Sequence, residues 1–338
     1  MPVRLGFIGV GHIPTHAHFP PLMKMVESGR VVFQAFCDAS EETLAAQAKE
    51  YGVSNTYTHH HEMLEKESLD ALYLCIPPTL HTDAEIIAAE KGIHLFVEKP
   101  QTLNIEHAAY FDKAIQKSGI VSQVGFMSRY YETSEKAAAL LKERTPRHAH
   151  VLSFYGGRPV RFWTSRMELC GGSFVENTIH MVDLLRYLLG DIESVSAFYV
   201  DRKPDEGPEP MNLPHVYNVN YKFTSGVTAN ATVSRVLTNV KGVGRREVLV
   251  VSDDSILEWA ADKLVENNET VLSMDERPNA FAAQAEAFIS AVEKGDPSMM
   301  RSPYSNSMNS LAAVLGANES AARNGAVLNL NDYVAGKA

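Results

Sequence analysis

Short apolar runs alternate with helix-forming stretches over the first 125 residues, and this alternation constrains the fold more than any other feature. Val3 to Val10, Val31 to Cys37, Ala71 to Ile76, Ile93 to Val97 and Ile120 to Gly125 read as strands. Between them lie helical stretches: Ile13 to Ser28, Thr43 to Glu50 behind an N-cap at Ser40, His81 to Glu90, and Asn104 to Lys117. Pro20-Pro21 is expected to kink or interrupt the first of these helices. Strands joined by helices pair in parallel through right-handed crossovers. The rhythm changes near Phe126. A helix is expected over Glu132 to Lys142, followed by strand-like runs at Ala149 to Tyr155, Val195 to Val200, Val216 to Phe223, Val227 to Val236, Glu247 to Val251 and Ser255 to Glu258. A strongly apolar helix, Phe174 to Leu189, interrupts this series, and helices at Ala280 to Lys294 and Met308 to Asn324 close it. Asp201 to Pro210 reads as a charged, proline-rich loop. The expectation is an α/β domain over residues 1–125 and an α+β domain with a large, mostly antiparallel open sheet over residues 126–338.

Composition narrows the function. At roughly 150 residues per domain, 338 residues suit two domains. A net charge of −10 argues against broad nucleic-acid binding and against an anionic membrane surface. The three cysteines, Cys37, Cys75 and Cys170, form no C-x-x-C pair and read as buried thiols of a reducing compartment. No apolar run of about 18 residues occurs, and Gly9, Gly11 and Pro14 break the first apolar run too early for a signal peptide. A cytoplasmic location is expected.

Three segments carry chemistry. Gly9-Val10-Gly11 falls where the first strand meets the first helix. There one glycine allows a tight turn, the next lets backbone approach a pyrophosphate, and N–H groups near His12 and Ile13 face the anion. Pro14 stands where this dinucleotide fingerprint has its third glycine. Asp38 ends the second strand, where an acid bonds a ribose hydroxyl and repels a 2′-phosphate, so NAD is expected over NADP. Glu98-Lys99-Pro100 follows the fourth strand, at the ligand-binding end of a parallel sheet. On the apolar helix, Glu176, His180 and Asp183 fall at i, i+4 and i+7, which places them on one face. Ionisable groups on a buried helix must be paired, metal-bound or catalytic. No fourth ligand is suggested by spacing, so no metal is expected there. His59-His60-His61 invites a metal reading, but adjacent helical residues point in different directions, so a solvated helix start and no metal are expected there. His16 and His18 face either the cofactor cleft or an ordinary helix environment.

Taken together, GFIGVGHI (Gly6 to Ile13), CIPPTLHTDAEIIAAEKGIHLFVEKPQTLN (Cys75 to Asn104), GGSFVENTIHMVDLLRYLLG (Gly171 to Gly190) and the pattern from Phe281 resemble the glucose–fructose oxidoreductase / inositol dehydrogenase / rhizopine-catabolism (Gfo/Idh/MocA) family along essentially the whole chain. The resemblance implies a Rossmann domain that binds NAD(P), with Ile76, Pro77, Thr79 and His81 near the adenosine and ribose, and Glu98 and Lys99 at the cofactor site. It implies a catalytic set of Lys99, Glu176 and His180, with glutamate where the family most often has aspartate. Asp183 is expected to hold the imidazole of His180 from behind. By position Arg129, Tyr130, Tyr155, Trp163 and Asn177 are expected to line the substrate face. The second domain is expected to pair between subunits, as a homodimer or homotetramer.

The resulting expectation is hydride transfer between a nicotinamide and a sugar, polyol or cyclitol hydroxyl. The rivals are a glycosidase or lyase that uses NAD in an internal redox cycle, and a protein that senses dinucleotide or sugar without turnover.

Overall fold

The computed structural model describes residues 1–156, 161–203, 206, 211–237, 244–275 and 278–337. In chain order the elements begin with β1 (Val3–Ile8), α1 (Phe19–Glu27), β2 (Val31–Cys37), α2 (Glu41–Tyr51), β3 (Thr56–Tyr57), α3 (His60–Lys66), β4 (Ala71–Leu74), α4 (Ala84–Glu90), β5 (His94–Val97), α5 (Ile105–Ser118) and β6 (Ser122–Val124). They continue with α6 (Glu132–Leu141), β7 (Pro146–Gly156), α7 (Met167–Cys170), α8 (Ile179–Leu189), β8 (Ile192–Val200), β9 (Val216–Phe223), β10 (Thr228–Leu237), β11 (Arg245–Ser252), β12 (Ile256–Trp259), β13 (Lys263–Glu266) and β14 (Glu269–Ser273). The chain closes with α9 (Ala280–Lys294), α10 (Tyr304–Ala322), β15 (Leu328–Asn329) and α11 (Leu330–Ala335).

The first compact unit comprises residues 1–102, 107–127 and 279–306. Its sheet has the order β3-β2-β1-β4-β5-β6, with every pair parallel. This is the doubly wound order, in which the sequence of strands reverses beside β1, so the crevice for ligands opens at the carboxyl ends of β1 and β4. Strands buried on both faces must be apolar throughout, and Ala71–Leu74 is fully buried. Phe7 anchors the core, with ring centroids 5.0 Å from Phe19, 5.1 Å from Phe33 and 4.9 Å from Tyr73. The expected interruption at Pro20-Pro21 takes a definite form. A π-turn covers Pro14–His18, and α1 starts after it with both prolines in its first turn, where their missing N–H groups are not required.

The expected boundary at 125/126 differs from the observed division, because α9 returns to the first unit. Phe288 packs edge-on against Tyr73 and Phe96, and Arg30 bonds Glu286 and Glu293 of α9. A contiguous sequence reading has no signal for this return, since an amphipathic helix does not state which sheet it covers.

The second unit comprises residues 103–106, 128–278 and 307–338. Its nine-stranded sheet runs β14-β13-β12-β11-β7-β10-β9-β8-β15. The β7–β10 pair is parallel and the other pairs are antiparallel. Burial alternates strictly along β9, with Tyr217, Val219, Tyr221 and Phe223 inside and Asn218, Asn220 and Lys222 exposed. That period of two marks a sheet with one packed and one open face. Short strands β13, β14 and β15 add to the expected set. Most of the expected Asp201–Pro210 loop lies outside the described residues.

Candidate active site

In the first unit, the two glycines after β1 answer different demands. Gly9 has φ +83°, and a Cβ there would lie 2.4 Å from the Cys75 carbonyl oxygen. Glycine is therefore needed at this position for the turn itself and for the close approach of the segment after β4. Gly11 is different, because a Cβ on it would meet no protein atom within 4 Å. The protein's own packing does not require glycine there, which fits a cradle kept open for a ligand. Asp38 braces the turn: the Val10 N–H donates to Oδ2 at 2.9 Å and the Ser40 N–H to Oδ1 at 2.9 Å. His12 and Ile13 are exposed beyond the turn, with the His12 ring tilted against His16 at 3.8 Å between centroids. Ile76 and Pro77 are half-buried and Thr79 is exposed.

Glu98 is buried and held from two sides. The His18 ring lies 2.7 Å from its Oε1, and the Lys99 backbone N–H donates to Oε2 at 3.0 Å. His18 is enclosed by the rings of Tyr73, Phe96 and Phe281. Gly125 completes this pocket, since a Cβ there would press on the Glu98 carboxylate at 2.8 Å. The backbone that carries the half-buried Lys99 is thus fixed by the side chain that precedes it. From sequence alone, His18 suits the cofactor cleft and an ordinary helix role equally. Its true partner lies 80 positions away, and the π-turn sets the rotation that reaches it.

His81, expected near the adenosine and ribose, has its ring turned into the interior. Its side chain is fully enclosed, with Nδ1 2.5 Å from Oε1 of Glu85, so the ring presents no surface to a dinucleotide. An imidazole in an apolar interior needs a polar partner, and the residue one helical turn on supplies it.

In the second unit, Gly171 and Gly172 have φ of +71° and +88° and lead into a π-turn over Phe174–Thr178, which continues as α8. The Ser173 N–H donates to the Tyr217 hydroxyl at 3.1 Å, and the Asn318 amide donates to the Gly171 carbonyl at 2.8 Å. The expected single helix Phe174 to Leu189 is therefore two segments, and a π-turn within a helix is often found at a functional site. Glu176 and Asn177 sit half-buried on the π-turn, and His180 lies one residue into α8 with 9% exposure.

Asp183 does not stand behind the imidazole as expected. Arg129 grips its carboxylate through Nε at 2.7 Å and Nη2 at 2.6 Å, and Ser310 Oγ donates at 2.7 Å. Burial alone would lower Arg129, but the charge and hydrogen bonds of Asp183 raise its pKa above the ordinary guanidinium value. Neighbouring Arg186 lies 4.0 Å from Asp183 and also bonds Asp191, and burial dominates to bring its pKa below the ordinary value. Two further expectations change with this network. Arg129, expected on the substrate face, is 3% exposed and pairs with Asp183 of α8. Tyr130 is likewise buried, at 3%. Trp163 is half-buried on a short turn, while the side chain of Tyr155 lies outside the described residues.

The histidine run opens α3 with His61 exposed, as expected, but its rings differ from expectation in direction. His60 and His61 do not point apart, and their Nε2 atoms lie 2.8 and 2.7 Å from the two oxygens of Asp83. Two adjacent side chains at a helix start can converge when one carboxylate offers both of its oxygens. The three thiols are free, and burial pushes Cys37 up to about 12 and Cys170 up to about 11, which suits neither nucleophile.

Residues 3–126 match the family model described as the oxidoreductase family with an NAD-binding Rossmann fold, and residues 145–254 match the GFO/IDH/MocA C-terminal domain. The chain belongs to the Gfo/Idh/MocA oxidoreductase family. A myo-inositol 2-dehydrogenase from Thermotoga maritima is 29% identical over 197 residues, 58% of either chain. A scyllo-inositol 2-dehydrogenase (NAD(+)) from Bacillus subtilis is 31% identical over 204 residues, 58% of this chain and 56% of that one. The matches thus span less than two thirds of these curated relatives. The crystal structure of an oxidoreductase from Thermotoga maritima superposes with a TM-score of 0.85 at 22% identity, covering 98% of this chain and 99% of that one, which shows a shared fold.

Proposed function

We propose that this Gfo/Idh/MocA protein is an NAD-dependent dehydrogenase acting on a sugar, polyol or cyclitol hydroxyl. The observation that carries the reading is the braced glycine turn, with Gly9 forced by packing and Gly11 left open. Gly9 to Ile13 would hold the pyrophosphate, Asp38 the adenosine ribose, and the Ile76 to Thr79 segment the adenosine. Two inositol dehydrogenases among the relatives support the substrate class. An acid at position 38 supports NAD, because a carboxylate repels a 2′-phosphate.

When bound, the nicotinamide supplies hydride acceptance and donation. The protein's own groups handle the proton and the charge. His180 takes the hydroxyl proton at an imidazole nitrogen during oxidation. The Lys99 ammonium donates a hydrogen bond to the alcohol oxygen and stabilises its developing negative charge. Glu176 would orient Lys99 or His180 as a hydrogen-bond acceptor. Asp183, engaged by Arg129 and Ser310, holds the helix that carries His180.

The test is a panel of aldoses, polyols, cyclitols and amino sugars with NAD and with NADP, followed by the absorbance of the reduced nicotinamide. Steady release of reduced cofactor with one class of hydroxyl compound is expected. Tight NAD binding without turnover on any member would overturn the reading in favour of a sensing role.

A further inference from the structure

The side chains of His60, His61 and Asp83 bring two imidazole nitrogens and a carboxylate oxygen within 4.8 Å of one another. No part of the proposed dehydrogenase chemistry uses them. We infer that this cluster is a binding site for a divalent first-row transition ion of the zinc class, held by His60 Nε2, His61 Nε2 and an oxygen of Asp83.

The donor set fits that class of ion. Zinc takes neutral imidazole and carboxylate ligands at about 2.0–2.2 Å, so its ligand atoms lie a little over 3 Å apart in a tetrahedron. Both nitrogens are already within 3 Å of the carboxylate, at 2.8 and 2.7 Å, and the two rings are 4.1 Å apart between centroids. Small side-chain rotations suffice to place all three around one centre. Each ring must then carry its proton on Nδ1. Hard cations such as magnesium prefer oxygen ligands and would not select this set.

Anchoring and access are both present. α3 starts at His60 and is seated by the buried Met63 and Leu64, while α4 follows Asp83 and is seated by Ala84, Ala88 and Ala89. The ligands therefore project from two packed helices rather than from a loose loop. Thr82 Oγ1 donates to Asp83 Oδ1 at 3.1 Å and limits its rotation. His61 and Asp83 are 62% and 45% exposed, which leaves an entry path and room for water to complete the coordination.

The site joins two places that the topology puts on the ligand side of the parallel sheet. His60 opens the helix after β3, and Asp83 opens the helix after β4, just past the Ile76–Thr79 segment. An ion there staples the start of α3 to the start of α4 and raises the stability of the folded chain by mass action.

The experiment uses the full chain without a polyhistidine tag, stripped of metal and free of nicotinamide, so its outcome is independent of the redox reading. Zinc chloride is titrated by calorimetry, cobalt chloride by visible absorbance, and melting temperature is followed with and without zinc. One equivalent per chain is expected, with cobalt d–d bands and a zinc-dependent rise in melting temperature. His61→Ala and Asp83→Asn should each weaken binding by at least about tenfold and remove the rise. His16→Ala, at the separate exposed His12–His16 pair, should leave both unchanged. His61 is exposed, so its variant should fold, and circular dichroism checks this. Absence of the equivalent in the wild-type chain overturns the site, as does its retention in folded His61→Ala.

Discussion

Asp38 serves the turn through both of its oxygens, yet an ionised carboxylate keeps further acceptor sites for a ribose hydroxyl. NAD is expected to exceed NADP in kcat/KM by at least about tenfold, or about 1.4 kcal/mol. Asp38→Ser should narrow that ratio. Comparable wild-type values for the two cofactors would contradict the assignment. Lys99 and His180 are tested at the same scale. Lys99→Ala should leave NAD affinity largely intact and lower kcat by about two to four orders of magnitude. His180→Ala should behave alike, and the double variant should be little worse than either single one when the two act as a unit. Melting temperature and single-turnover hydride transfer on the same preparations separate catalysis from folding. Wild-type turnover in a well-folded single variant would end the catalytic assignment.

Among the elements, the two glycines of the turn answer different demands and should fail differently. Gly9→Ala meets a backbone carbonyl at a positive φ, so it should lower the melting temperature strongly. Gly11→Ala meets nothing in the protein, so it should fold normally and raise the dissociation constant for NAD. Unchanged NAD affinity in Gly11→Ala, measured by fluorescence titration, would contradict the cradle. Helix α8 depends on a buried ion pair. Asp183→Ala leaves Arg129 enclosed without its carboxylate, at a cost of roughly 3–5 kcal/mol. Denaturant unfolding should register that loss, and activity should fall largely with the folded fraction. A variant as stable as wild type but inactive would return Asp183 to a direct role in catalysis.

For the whole molecule, the nine-stranded sheet has one face that its own unit leaves exposed. Phe198 and Val200 are 57% and 54% exposed there, beside polar residues of β9 and β10. A broad sheet face of this kind is suited to burial against a second copy. A homodimer or dimer of dimers is expected by light scattering at micromolar concentration, and a monomer would contradict it. No helix among the described residues is long and apolar enough to cross a membrane.

Features that depend on local pattern were legible from the residues alone. The strand–helix alternation specified the parallel sheet, period-two patterning specified β9, and the glycine turn and Asp38 were legible because a turn and its acid lie at set distances from strands. Tertiary structure decided every pairing between distant side chains. Sequence spacing placed Asp183 on a face with His180, but a buried carboxylate goes to the strongest donor within reach, and that donor is Arg129, 54 positions away. His18 reached Glu98 through a π-turn that no periodicity announces, and α9 returned to the first sheet because its apolar side fits Tyr73 and Phe96. His60 and His61 met on Asp83 because the start of α4 sets that carboxylate within reach of both rings. Period and turn chemistry act over a few residues, whereas desolvation forces each buried charge to find a partner wherever the fold supplies one.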